Sequence, residues 1–308
     1  MGTKNLSIKY HLMAVITVII WGTTFISTKI LINNGLSPVE IFFYRFLMAY
    51  LCIWFFTPKT LLSKSKKDEF LFVLLGLCGG SLYFVAENMA LGITLASNVS
   101  LIICTAPLLT AFLSFIVYRK KEKPTKNLIY GSLLALVGVT LVIFNGSFVL
   151  QLNPLGDFLT VLAALSWAFY GLILRKMENN YPTLFITRKV FFYGIVTLLP
   201  IMYFQPIHFN KDILFRPSVI LNLSFLGFIA SMLCFFMWNT AVKKLGVVRT
   251  SNYIYVVPLV TLLTSSLVLE EQITKIAILG SICILLGVYM AERGINLQFI
   301  KNITQKRI

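Results

Sequence analysis

Charge is what this sequence has least of. Asp, Glu, Lys and Arg make up 12% of its 308 residues, about half the roughly 25% of a soluble domain. Acids are scarcest, at eleven, and there are two histidines. So little charge, beside 58% hydrophobic residues and a mean hydropathy of +0.85, excludes an ordinary soluble enzyme. A solvated, disordered chain is excluded too, because 26 Phe and 13 Tyr do not suit one. Cys52, Cys78, Cys104, Cys234 and Cys283 all fall in apolar runs and form no CxxC pair. They predict inert buried thiols and no disulfide framework. His11 and His208 lie outside the apolar runs and leave no set of metal ligands. The sequence therefore calls for neither a metal nor a cofactor. No GxxxxGK[ST] run is present, which excludes ATP hydrolysis by that route.

What is present is a series of long apolar runs. A spanning helix needs about 20 such residues at 1.5 Å each. Ten runs meet this, near 12–32, 38–57, 70–91, 95–118, 127–144, 155–174, 184–204, 219–241, 247–268 and 274–291. They predict an all-α integral membrane protein with ten transmembrane helices. The first run is too long for a signal-peptide core and lacks an AxA-type site.

The net charge of +16 comes from basic residues in the connections, not from a nucleic-acid platform. Taking the N-terminus as cytoplasmic puts twenty Lys and Arg on the inside. Lys211, Arg216 and Lys275 fall outside, and Lys29, Arg45, Arg188 and Lys189 fall within spans. That asymmetry predicts both termini in the cytoplasm of a multi-pass cell (inner) membrane protein.

The chain also repeats itself at an offset of about 150 residues. Glu122, Thr125, Lys126, Gly131, Ser132, Leu136, Gly138 and Val139 recur as Glu271, Thr274, Lys275, Gly280, Ser281, Leu285, Gly287 and Val288, with identical spacing. Asn88, Ala90 and Pro107 recur as Asn239, Ala241 and Pro258, and Trp21 recurs as Trp167. Arg45 is matched with Arg188. The reading is a first five-helix repeat over 1–145, a second over 154–294 and a cytoplasmic tail over 295–308. Five spans is an odd number, so the second repeat is inverted relative to the first. Secondary transporters use this symmetry and place their site at the repeat interface.

These features together resemble the EamA-type permeases of the drug/metabolite transporter superfamily. The resemblance rests on the doubled five-span repeat, Trp21-Gly22, the run Asn88, Pro107, Glu122, Gly131 and Gly138, and its echo Asn239, Pro258, Glu271, Gly280 and Gly287. It implies ten helices around a central cavity, lined by the third, fourth, eighth and ninth with contributions from the first and sixth. It also implies export of amino acids, metabolites or drugs.

The candidate residues follow. Glu87 is an acid inside a span, which costs about 2.5–3.5 kcal/mol on insertion scales, so it is expected to face the bundle interior. Gly76, Gly80, Tyr83 and Glu87 share one helical face. Glu87 is the candidate for exchanging a proton, the proposed coupling ion, and Trp238 takes its place in the second repeat. Arg45 is the candidate contact for a substrate carboxylate or phosphate, or else a neutraliser of Glu87 or Glu40 or a side chain snorkelling to the outer interface. Lys29, Arg188 and Lys189 are expected to snorkel. Ser100, Pro107 and Ser114 share a face, and Ser251, Pro258 and Ser265 repeat the pattern. The prolines are the candidate hinges, since proline removes an intrahelical hydrogen bond. Trp21, Tyr83, Trp238 and Tyr255, raised by the resemblance, form a candidate aromatic wall for the substrate, with Ser100 beside them. Glu122 and Glu271 are expected to order the entries of the fifth and tenth helices.

The leading function is a secondary transporter of small metabolites, working outward by alternating access. A membrane-embedded enzyme would need paired acids, a Ser/His set or a motif such as HExxH or GxGD, and none occurs. A receptor would favour longer loops and termini, and a channel a charged ring or filter-like loop.

Overall fold

A computed structural model describes residues 2–57, 62–94, 96–118, 125–144, 153–269 and 274–293. Among them there are helices and no strand. A helix pairs its backbone N–H and C=O groups within one segment, as lipid requires. Among the described residues the helices group into ten longer stretches. They are α1 Gly2–Asn33, α2 Pro38–Phe56, α3 Lys66–Ile93, α4 in two pieces (Ala96–Ile103 and Ala106–Tyr118) and α5 Lys126–Phe144. Then come α6 Pro154–Met177, α7 Thr183–Phe204, α8 Pro217–Leu245, α9 from Val247 to Leu269, and α10 Lys275–Arg293. Seven are long and apolar enough to cross a membrane, and the apolar helical stretches Ala106–Tyr118, Lys126–Leu141 and Ile278–Ala291 are shorter. Glu122 and Glu271 lie outside the described residues, as does the side chain of Ser265.

α1 and α2 meet at one end of the bundle through the short turn 34–37. The end where α1 meets α2 carries Ser37, the N-cap of α2. Ser37 Oγ accepts from the Glu40 amide at 3.2 Å, and the Ser37 amide donates to Glu40 Oε2 at 2.8 Å. This is a capping box, legible as Ser-x-x-Glu. Glu40 Oε1 also accepts from the His208 amide at 2.8 Å. Glu40 is thus committed to the backbone of two loops rather than to Arg45.

At the opposite end, where α2 stops at Thr57, cations are drawn inward. Arg188 and Lys189 are 2% and 3% exposed and do not snorkel as expected. The first turns of α7 pack against the end of α2 and the start of α3, which supplies partners inside the bundle. Arg188 donates to the Thr57 carbonyl, and Lys189 pairs with Glu69, which also accepts from the Tyr193 hydroxyl.

Corresponding elements of the two halves each carry a π-helical irregularity, that of α3 with a non-helical kink at Gly80. α3 contains a π-helical segment, Leu77–Ser81, and α8 contains another, Phe225–Leu233. A π turn leaves carbonyls out of the regular ladder. Ser166 of α6 donates to the Cys78 carbonyl at 2.8 Å, and Trp21 Nε1 of α1 donates to the Ala230 carbonyl at 3.0 Å. Each π segment is therefore served by a helix of the other half.

The repeated glycines have a packing role. A Cβ on Gly131 would stand 2.5 Å from the Gly287 carbonyl oxygen, and one on Gly138 would stand 2.5 Å from that of Gly280. α5 and α10 thus cross backbone against backbone, as small residues allow in membranes.

One expected match does not hold. Gly76 packs on Tyr193 and Gly227 on Met48. That register sets Met48 against Tyr193 and puts Arg188 opposite Phe43, so Arg45 and Arg188 are not counterparts.

Candidate functional site

A pocket lies in the middle of the bundle, toward the Ser37 end. It holds about 500 Å³ of space free of atoms, part of it continuous with solvent. α1 contributes Trp21, Thr24 and Phe25, which share a face at helical spacing. α3 contributes Tyr83, Phe84 and Glu87, and α2 contributes Arg45. Trp167 of α6, Ile103 of α4, and Ile254 and Val257 of α9 complete the wall. Helix α8, an expected wall element, is absent from this lining. Its Trp238 and Phe235 pack beneath the aromatic ring instead, with Trp238 centred 5.0 Å from Trp21 and 6.0 Å from Trp167.

The polar groups are few and buried. Tyr83 donates its hydroxyl to Glu87 Oε1 at 2.8 Å, one helical turn along α3. Arg45, 1% exposed, stacks its guanidinium 4.2 Å from the centre of the Phe84 ring. Its Nε donates to Ser231 Oγ at 3.0 Å, within the π segment of α8. Its Nη2 is buried with no hydrogen-bond partner among the described residues. No ion pair joins Arg45 to Glu87, although both line the pocket and their charges attract.

The floor of the pocket is aromatic and then polar. Trp167 lies 5.3 Å from Trp21, 5.2 Å from Tyr83 and 5.0 Å from Tyr170. Below it the Tyr170 hydroxyl donates to Asn239 Oδ1 at 2.6 Å, and Asn239 Nδ2 donates to Thr187 Oγ1 at 3.0 Å. Asn239 and its counterpart Asn88, both repeat residues, are buried; Asn88 Nδ2 reaches the Pro38 carbonyl at 3.2 Å.

Both candidate hinges sit just after a break in the helix. α4 turns at residues 104–105, directly before Ala106-Pro107. α9 tightens to a 3₁₀ segment, Asn252–Val256, directly before Val257-Pro258. Proline cannot donate to the residue four before it and its ring crowds that carbonyl, which accounts for both breaks.

The structure thus brings Trp21, Tyr83, Glu87 and Arg45 to one pocket. Trp238 touches Trp21 from beneath. Ser100 and Tyr255 are buried but do not line the pocket, although Ile254 beside Tyr255 does. Sequence reading passed over Thr24, Phe25, Phe84, Ile103, Ile254 and Val257. Trp167 was legible as the repeat partner of Trp21, and Thr24 and Phe25 as the next turn of the same face. Phe84 was not, because the irregular π segment shifts the face of α3 upstream of it.

Known proteins match this chain over more than nine-tenths of its length. An "Uncharacterized transporter" of Archaeoglobus fulgidus is 28% identical, over 92% of this chain and 96% of that protein. A "Probable amino-acid metabolite efflux pump" of Escherichia coli is 25% identical, over 94% of this chain and 97% of its own length. A solved crystal structure shares the fold with a TM-score of 0.73 at 17% identity, covering 92% of this chain and 96% of that one. The EamA-like transporter family matches twice, at residues 8–144 and 154–292. With several helices long and apolar enough to span, the chain is a multi-pass membrane protein and belongs to the EamA-like transporter family.

Proposed function

We propose that this protein is a secondary transporter exporting small metabolites, such as amino acids or drugs, across the cytoplasmic membrane by alternating access. The single observation that carries this is the central pocket. It is walled by both halves of the chain, holds Arg45 and Glu87, and is flanked by the two proline breaks. In this reading the chain spans ten times, as two inverted five-helix repeats, with both termini cytoplasmic. The Thr57 end is the inner one, in keeping with its basic connections. The substrate meets Trp21, Tyr83, Glu87 and Arg45, with Trp238, Ser100 and Tyr255 supporting the walls behind them. α4 and α9 rock about Pro107 and Pro258 so that the pocket faces one side at a time. Glu87 carries the coupling proton. The printed name of the Escherichia coli relative, an amino-acid metabolite efflux pump, favours the same substrate range.

The test is flux in proteoliposomes loaded with pooled labelled amino acids and related metabolites, under an imposed pH gradient. Wild type, Glu87→Gln and protein-free liposomes are run side by side. The expected result is gradient-dependent flux by the wild type alone. Equal gradient dependence in Glu87→Gln removes Glu87 as the coupling group, and no flux above liposomes for any pool removes the transporter reading as stated.

A further inference from the structure

We infer that Asn239 and Asn88 are a matched pair of latches. The bond between Asn239 and Tyr170 holds the inner end shut in this structure, and a bond between Asn88 and Thr24 holds the outer end shut when the inner end opens. This rests on the alternating-access reading and names the residues that set which end is closed.

The two asparagines are anchored alike. They are repeat counterparts. In the register set by Met48 and Tyr193, Pro38 is the counterpart of Thr183, and these two residues open α2 and α7. Asn88 Nδ2 donates to the Pro38 carbonyl at 3.2 Å. Asn239 Nδ2 donates to Thr187 Oγ1 at 3.0 Å, and that hydroxyl donates to the Thr183 carbonyl at 2.9 Å. Both side-chain amides thus reach the corresponding carbonyl, one directly and one through a hydroxyl.

They differ at the other atom. Asn239 Oδ1 accepts from the Tyr170 hydroxyl at 2.6 Å. Asn88 Oδ1 is buried with no hydrogen-bond partner among the described residues. Trp21 and Trp167 set the register of α1 against α6, so the counterpart of Tyr170 is Thr24. Thr24 gives its hydroxyl to the Trp21 carbonyl of its own helix, at 2.7 Å. A buried acceptor without a donor costs free energy until one arrives. Neither solute nor water touches Asn88 Oδ1 while its neighbours stay in place. Only a rearrangement of the helices around it can satisfy it, and such a rearrangement is what alternating access requires.

The surrounding faces are arranged in the same sense. At the inner end α6 is packed shut against α8 and α9. A Cβ on Gly171, next to Tyr170, would stand 2.5 Å from Val247 Cγ2. Lys243, one turn beyond Asn239, donates to the Glu178 carbonyl at the end of α6. The outer counterparts stand apart. Thr24 and Phe25, which correspond to Tyr170 and Gly171, line the pocket. A Cβ on Gly92, which corresponds to Lys243, would meet nothing within 4 Å. When the repeats exchange these two arrangements, the pocket turns to the inner side. Tyr170 then leaves Asn239, and Thr24 swings from the Trp21 carbonyl to Asn88 Oδ1.

Hydrogen–deuterium exchange, read by mass spectrometry on the full-length detergent-solubilised protein, follows both ends at once. Tyr170→Phe removes only the donor hydroxyl. Amides of 171–180 and 239–250 should exchange about fivefold faster, the scale of one hydrogen bond, while those of 27–37 and 88–94 slow down. Adding Thr24→Val should abolish the slowing at the outer end. Asn239→Leu breaks the inner bond from its other side and should repeat the reciprocal pattern, so a Tyr170→Phe protein that does not fold leaves the test intact. A faster inner end with an outer end unchanged or also faster makes the Tyr170 bond ordinary packing and overturns the latches. Outer slowing that persists with Thr24→Val overturns Thr24 as the partner of Asn88. Flux of the wild type in proteoliposomes judges the transporter reading separately: flux without the reciprocal exchange leaves that reading standing and removes the latches alone.

Discussion

Cys104 donates its thiol to the carbonyl of Ile254 at 3.8 Å, across the interface between α4 and α9. Ile254 stands four residues before Pro258, so its carbonyl loses the i+4 amide and accepts the Val257 amide of the 3₁₀ turn instead. Ile103 stands four residues before Pro107 in the same way, and both isoleucines line the pocket. The two prolines thus loosen the backbone where the substrate is proposed to sit.

Restoring the amide tests whether that looseness is used. Pro258→Ala lets residue 258 donate to Ile254 and removes the ring that crowds its carbonyl. An interior proline costs a helix about 3 kcal/mol, so the variant should melt no lower than the wild type, while its transport rate falls about tenfold. Flux at the wild-type rate in a protein of unchanged melting temperature would show that the break is packing and not a pivot.

Two glycines of α3 should respond oppositely to alanine. A Cβ on Gly79 would stand 2.3 Å from the Tyr170 ring, whereas one on Gly92 meets nothing within 4 Å. Gly79→Ala forces Tyr170 off its place under Trp167, and overpacking of this kind typically costs about 1–3 kcal/mol. Gly92→Ala gains helix propensity, up to about 1 kcal/mol in an exposed interior position. Apparent melting temperatures in detergent should fall for the first and hold or rise for the second.

Gly79 also marks where sequence and structure part company. Run lengths and basic connections gave the helices, because lipid leaves few alternatives to a helix of about 20 residues. Trp21, Tyr83, Glu87 and Arg45 were legible because an ionisable or amphipathic side chain in a span is rarely idle. The π segments in α3 and α8 were not, since one extra residue in a turn leaves no compositional trace beyond Gly79-Gly80 and Gly227. That same irregularity decides which residues after it face the pocket. Arg188 and Lys189 were misjudged for a different reason. Snorkelling is the default for a cation near a helix end, and the partners that overrode it come from α2 and α3, far away in sequence.

Lys189 and Glu69, with side chains 4% and 21% exposed, should behave as a partly buried pair. Glu69 takes the Lys189 ammonium together with the Tyr193 hydroxyl. Removing one partner of a fully buried pair costs about 3–5 kcal/mol, because the other charge is left uncompensated, while replacing both with apolar groups is often neutral; the water that reaches Glu69 brings the cost here below that range. Lys189→Met alone should lower the melting temperature, and Lys189→Met with Glu69→Leu should recover most of it. A double variant no better than the single one would mean that the Tyr193 bond, not the ion pair, holds α7 to α3.

Glu178 gives the bundle a dependence on pH. It caps the C-terminal end of α6, just past the span, and its Oε2 is buried without a hydrogen-bond partner. Burial raises its carboxyl to about 7, against the opposing pull of Lys243 and Arg175. The sign follows from comparing the two states. Below the ordinary value of about 4.3, folded and unfolded chains both hold the proton, and stability is at its full level. As pH rises from there to about 7, the unfolded chain releases its proton while the folded one keeps it, so stability falls; above 7 the loss is complete. Glu178→Gln removes the ionisation altogether. Its melting temperature should match the wild type at pH 4 and exceed it at pH 8, where the gain in stability is on the order of 2 kcal/mol after allowing for solvent screening. Melting curves taken from pH 4 to 8 in one detergent decide the matter, and a gap that narrows as pH rises would reverse the assignment.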